Sequence, residues 1–227
     1  RRRRGARAVK ILAIDTATEV LALAADDGSA RASLALRRGL QHSPALLPLA
    51  DRLLAELGFA ARDLELVVCS VGPGSFTGIR IGLATAKGIA FAVGCPLVGV
   101  STLDALALPW AGFAGGVWSV IDARKGRWYA ACYRGGRRVT EYLDLEPGAL
   151  RARIAAGPVP ILLAGPDAPR FAESIPGIAA TDLFDPAAVL RTGADRFASE
   201  GADPNSLKPI YLRQSEAEIE AGRRDGR

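Results

Sequence analysis

One histidine, three cysteines and no methionine occur in 227 residues, and each scarcity removes chemistry. Zinc sites of the HExxH or HxxxH type need two histidines, and a Ser/His/Asp site needs an imidazole held by partners. His42 alone therefore leaves most hydrolase mechanisms without their parts. Cys69, Cys95 and Cys132 are odd in number and sit in apolar contexts, LVVCS, VGCPL and YAACY, where reduced thiols act as small hydrophobes. Neither a disulfide framework nor a zinc cluster is expected. No apolar run reaches the roughly 18 to 20 residues of a membrane span, and the opening RRRRGARAVKILAIDTATEV lacks the long apolar centre of a secretory leader. The expectation is a cytoplasmic protein with no membrane contact. Without methionine, Arg1 is not a natural start, and residues 1–8 read as a disordered basic tail.

What is present is the balance of an ordinary globular protein, 49% apolar and 23% charged residues. Six of the positive charges behind the net +5 come from Arg1, Arg2, Arg3, Arg4, Arg7 and Lys10, so residues 11–227 sum to −1. A protein that neutralises many phosphates unaided needs a basic face. The body of this chain does not read as a stand-alone nucleic-acid binder.

Short β-branched runs at 9–17, 20–28 and 30–39, separated by turn residues, predict a three-stranded meander. Ser43 to Gly58 opens with a capping residue and proline and closes on glycine, which predicts a helix. A buried strand over 64–72, a glycine-rich turn, a helix over 76–93, a strand over 96–101 and a short helix over 101–108 follow. Pro109 and the GFAGG stretch break the pattern, so lobes are expected at 9–108 and 109–213, with a charged tail at 214–227. In the second lobe, strands over 116–124, 126–134 and 137–145 repeat the meander. A helix (147–156), a strand (160–165) and helices near 167–174 and 186–200 come after them, which predicts a duplicated α/β fold with a smaller second copy.

The most informative stretch is VGPGSFTGIRIGLATAK, 71–87. Glycines at a strand-to-helix turn let backbone approach a phosphate, but the Walker pattern fails. The alternative is that Ser75 or Thr77 caps the helix while Gly72 and Gly74 form the turn. From Gly78 to Val93 only Arg80, Thr85 and Lys87 are polar, and Gly78, Gly82, Ala86 and Ala90 make a ridge of small residues that permits close approach by a sheet or another helix. The 43–58 helix is equally apolar, so either a partner helix pair or an internal contact covers these faces. Asp15 follows the first strand as in the Asp-x-Gly phosphate hairpin of sugar kinases and actin-like ATPases. Ala17 replaces that glycine, however, and the second-lobe counterpart reads Asp122-Ala123-Arg124. Both hairpins look degraded, and the plainer role of Asp15 and Asp122 is to bond local backbone N–H groups. His42 reads as a solvent-facing or capping residue. Trp118, Trp128, Tyr129 and Tyr133 read as second-lobe core rather than base-stacking groups.

The series ILAIDTAT (11–18), HSPALLP (42–48), GPGSFTGIRIGLATAKGIA (72–90), GVSTLDALA (99–107), IDARKGRWYAACY (121–133) and PIYLR (209–213) strongly resembles the TsaB (YeaZ) family, in order and spacing from Lys10 to Arg213. The resemblance implies an actin-like ATPase (ASKHA, ribonuclease H-like) fold of two lobes, each with a mixed sheet flanked by helices. It also implies a place in making threonylcarbamoyladenosine beside the tRNA anticodon. In that family the catalytic paralogue TsaD carries the metal-binding histidines. TsaB-like chains act as a required non-catalytic partner with no cofactor, pair with TsaD or as a homodimer through two first-lobe helices, and are joined by the ATPase TsaE, with tRNA reached only through the complex. Carried over by position, the interface is Leu46, Leu47, Leu53, Leu54, Ile79, Leu83 and Lys87. Asp15, Gly72, Ser75, Thr77 and Arg80 form a family-motif loop without an assigned role. Pro44 departs from the family, which commonly has an acidic residue there, and removes a charge and a backbone donor. The competing functions are an ATP-dependent small-molecule phosphotransferase of the sugar-kinase class and, from an older family label, a glycopeptidase.

Overall fold

The computed structural model describes residues 9–37, 39, 42–202 and 207–213; the tails read at 1–8 and 214–227 lie outside them. The first sheet contains β1 (Ile11–Asp15), β2 (Val20–Asp26), β3 (Arg31–Arg37), β4 (Leu66–Ser70) and β5 (Leu97–Val100), in the order β3-β2-β1-β4-β5. The meander pairs antiparallel, whereas β1, β4 and β5 run parallel. β1 and β4 are buried along their whole length, as strands covered on both faces must be. Helices α1 (Ser43–Glu56), α2 (Phe76–Val93) and α3 (Thr102–Ala107) connect and follow these strands.

The second sheet contains β6 (Gly116–Arg124), β7 (Arg127–Arg134), β8 (Arg137–Arg138), β10 (Ile161–Ala164) and β11 (Ala179–Thr181), with β9 (Leu143–Leu145) also paired to β7. Its order, β8-β7-β6-β10-β11, is the first sheet's order repeated, third-second-first-fourth-fifth. The duplication expected from the sequence is thus present at the level of topology, in the two-lobed actin-like arrangement. The single strand read over 137–145 is broken in two. Thr140 Oγ1 accepts a hydrogen bond from Cys132 N (2.9 Å), and Tyr142 turns inward to donate to Asp104 Oδ2 (2.7 Å). β11 was not legible, being only three residues long.

α4 (Pro147–Ala155) and α5 (Ala168–Ala172) cover the outer face of the second sheet, where Leu150, Ile154 and Phe171 pack on Trp118, Trp128 and Cys132. α1 and α2 cover the outer face of the first. Between the sheets lie α3 and α6 (Pro186–Glu200), in an apolar layer that includes Val68, Leu103, Ile121, Tyr133, Val189 and Leu190. The chain therefore crosses over: α3, which ends the first unit, packs on β6 and β7, while α6, which ends the second, lies on β1, β2, β4 and β5. Gly193 permits this, because a Cβ there would run into the Val68 side chain. Residues 207–213 return as well, with Ile210 N donating to Val71 O (2.6 Å). α2 is the one helix among the described residues long and apolar enough, by length and composition, to cross a membrane; here one face of it packs on β4.

Candidate functional site

Asp15 ends β1 and is completely buried. Its Oδ1 accepts from Ala17 N (2.8 Å), closing the turn toward β2, and its Oδ2 accepts from Ser70 Oγ at the end of β4. The turn then meets the glycine-rich loop directly. Ser75 N donates to Ala17 O (2.6 Å), and Thr16 Oγ1 donates to Gly78 O (2.7 Å). Side chains at Gly74, Gly78 or Gly82 would overlap, respectively, Ala17 O, Thr16 O and Thr16 Oγ1. The small-residue ridge of α2 is therefore the seat of the β1–β2 hairpin, and the space a phosphate would need between hairpin and loop is filled by protein backbone.

Of the two capping candidates, Ser75 is the N-cap of α2, accepting from Gly78 N (3.2 Å), while Thr77 is exposed. Gly72 adopts φ 95°, and its carbonyl accepts from Thr102 N (2.9 Å). Arg80 lies on the outer surface, its guanidinium 3.7 Å from the centre of the Phe76 ring and its Nε donating to Tyr211 OH (3.0 Å). Phe76, Arg80 and Tyr211 hold the start of α2 and the 207–213 segment together, while Asp15 is buried and Thr77 exposed.

The second-lobe turn faces the first. Arg124 pairs with Glu19 of the β1–β2 hairpin and lies 3.5 Å from Asp122 Oδ2, which also pairs with Arg170 (2.7 Å). Asp122 Oδ1 accepts from Arg124 N (2.8 Å). The two turns are thus joined by the chain's own ion pair, and Ala17 and Arg124 bring side chains to the positions where a phosphate hairpin brings bare backbone. Among the described residues no group of three or more His, Cys, Asp or Glu could hold a metal.

Of the two readings of His42, solvent-facing or capping, the structure excludes the first and places the residue at the N-cap position of α1, though its side chain makes no capping bond. It is fully buried, and its Nε2 lies 2.8 Å from Thr18 O. A carbonyl only accepts, so Nε2 carries the proton, and the ring ties the entry of α1 to the β1–β2 hairpin.

The interface set carried over from the family divides by burial. Leu46, Leu53, Leu54, Ile79 and Leu83 are all buried in the chain's own core; the four leucines form the inward faces of α1 and α2 against β1, β2 and β4, and Ile79 packs beside Gly72. Only Leu47 and Lys87 of that set are exposed. The outward stripe of α2 is Phe76, Arg80, Ala84, Lys87, Gly88 and Phe91, at helical spacing. Phe91 is 91% exposed, and Leu47 of α1 is 51% exposed. Sequence periodicity showed too much apolar surface but did not separate the inner face from the outer.

Burial raises the Asp15 carboxyl to about 6, against the lowering effect of its bonds from Ser70 and Ala17. The unfolded chain releases this proton near 3.8, so the native state binds more protons between the two values. The Asp15 contribution to stability is greatest below pH 4 and declines by about 3 kcal/mol as pH rises through 6. Denaturant titrations at pH 5 and 7.5 should show Asp15→Asn gaining about 1.4 kcal/mol on the wild type between them. Parallel pH dependence of the two proteins would refute the assignment.

The comparisons agree with the geometry. The family model for tRNA N6-adenosine threonylcarbamoyltransferase, TsaD, matches residues 38–148. The TsaB protein of Bacillus subtilis is 30% identical, over 92% of this chain and 96% of its own length. That of Escherichia coli is 40% identical over 56% of this chain and 55% of its own length. The structure of YeaZ from Pseudomonas aeruginosa superposes with a TM-score of 0.77 at 30% identity, covering 90% of this chain and all of that one. With the duplicated topology and the family loop in place along the whole chain, this protein belongs to the TsaB (YeaZ) family of tRNA threonylcarbamoyladenosine biosynthesis proteins.

Proposed function

We propose that this chain is a non-catalytic activating subunit that pairs with a TsaD-type subunit, which transfers the threonylcarbamoyl group to the tRNA adenosine beside the anticodon. The observation that carries the reading is the outward face of α1 and α2. A nearly fully exposed phenylalanine, Phe91, stands with Leu47, Phe76 and Ala84 on helices whose inner faces are well packed. Exposed apolar surface of this kind on a soluble domain marks a contact site, and a stable complex would bury about 800 Å² here per partner. The filled hairpin seat and the buried Asp15 support the absence of chemistry in this subunit. In the same reading a TsaE-type ATPase joins the assembly, two copies of this chain use the same face when no TsaD is present, and the complex works in the cytoplasm and meets tRNA as a whole.

The test is threonylcarbamoyl transfer to unmodified tRNA by the TsaD-type subunit and its companions, with and without this chain, beside light scattering of the mixture. Activity and a heteromeric complex should both require the chain. If neither appears while the isolated chain transfers phosphate from ATP, the phosphotransferase reading replaces this one.

A further inference from the structure

The β7–β8 hairpin carries three exposed arginines beside its turn. Its turn is Gly135-Gly136, with φ 54° and 73°, the left-handed pair that a tight two-residue hairpin requires. The residues flanking this turn are Arg134 and Arg137, and they are direct cross-strand partners. Partners in register point to the same face with Cβ atoms about 5 Å apart, and like charges so placed destabilise the hairpin. Arg138 follows on the opposite face, stacked over the Tyr142 ring at 3.9 Å, while the Tyr142 hydroxyl is anchored on Asp104. Arg134, Gly135, Gly136, Arg137 and Arg138 are all exposed. Among the described residues none of the three arginines has an ion pair: Asp144 is engaged by Arg127 and Arg213, Glu146 by Arg127, and Glu141, exposed three residues beyond Arg138, pairs with none of the three.

Charge on an edge strand can serve only to keep that edge from pairing with another chain. β8 is two residues long, however, and one charge would serve; opposing two arginines across the turn adds repulsion without adding protection. An anion between them removes the repulsion and takes charge-assisted, bidentate hydrogen bonds from two guanidinium groups that the hairpin register sets side by side. The face bearing Arg134 and Arg137 is also the one carrying α4, which exposes Arg151 and Arg153. We infer that this hairpin binds the phosphate backbone of RNA, positioning the tRNA on the assembly without reading its bases. The inference rests on the proposed function for the identity of the RNA. It agrees with the near-neutral body of the chain, since three arginines add a contact to a complex but do not make a stand-alone binder.

The test is anisotropy of labelled, unmodified tRNA titrated with the assembled complex at several salt concentrations, comparing the wild type with R134Q/R137Q/R138Q and R134K/R137K/R138K. The glutamine variant should bind tenfold or more weakly at low salt, and its log–log salt slope should be shallower by about 2 to 3. The lysine variant should keep most of that slope. The glutamine variant should still form the complex and reach wild-type transfer rates at saturating tRNA. Equal affinity and equal slope for wild type and glutamine variant would overturn the inference while leaving the subunit role intact. Loss of binding to phosphatidylserine vesicles with tRNA binding unchanged would overturn it too. If the wild-type complex itself does not form, the function reading fails, and the same titrations on the isolated chain decide the hairpin by the same slope difference.

Discussion

Replacing Gly78 by alanine is expected to unfold most of the protein at moderate temperature, although alanine is the better helix former. In an exposed helix the change would gain about 1 kcal/mol. At Gly78 the new methyl group would overlap the carbonyl oxygen of Thr16, which is backbone and has no rotamer in which to retreat. The hairpin must lift, and with it go the bonds from Ser75 N to Ala17 O and from Thr16 Oγ1 to Gly78 O. Overpacking costs about 1–3 kcal/mol and each buried polar group left unpaired about as much again. A loss of roughly 4–6 kcal/mol is a large part of a typical total stability and should lower Tm by about 10–20 °C. Gly88 in the same helix is the control, since nothing lies within 4 Å of a Cβ there, and Gly88→Ala should be neutral or slightly stabilising. Thermal melts of the two variants measure the contrast; similar melting of both would show that the hairpin does not rest on α2.

That contrast also shows where sequence reasoning stops. The ridge Gly78, Gly82, Ala86, Ala90 is visible from four-residue spacing, but spacing does not say what approaches it. The answer lies more than sixty positions upstream, in Thr16, and depends on β1 and β4 being parallel neighbours. The same holds for Ser70, which carries no local signal and matters only because its strand ends beside Asp15. Elements with strong periodicity and clear punctuation were legible nearly to their ends: the helix expected over 43–58 is observed at Ser43–Glu56, and those over 76–93 and 186–200 coincide with α2 and α6. The duplication was legible too, because each half repeats a meander followed by alternating helix and strand. What the sequence did not disclose was the crossing of α3 and α6 between the sheets, since both helices are apolar enough to be buried on either lobe.

The inner and outer faces of α2 should respond oppositely to the same substitution. Leu83 is 6% exposed and packed in the outer core of the first lobe with Leu53 and Ala86. A glutamate there would be desolvated among Leu53, Cys69 and Ala86, with Lys87 one turn away on the exposed side of the helix, so Leu83→Glu should cost about 4 kcal/mol, leaving little folded monomer. Phe91 is two turns further along and points to solvent. Phe91→Glu exchanges one exposed side chain for another and should leave stability within about 0.5 kcal/mol of the wild type. If the outward face is the docking surface, the same change places a charge in the desolvated centre of the complex. Loss of an aromatic anchor of that kind is worth about 2 kcal/mol or more, a weakening of roughly thirtyfold or greater. Leu47→Glu on α1 should act in the same direction and, being on a separate helix, should add to it. Circular dichroism melts and light scattering with the TsaD-type subunit separate the outcomes. A folded Phe91→Glu chain that no longer associates supports the face; one that associates as the wild type does would move the interface off α1 and α2.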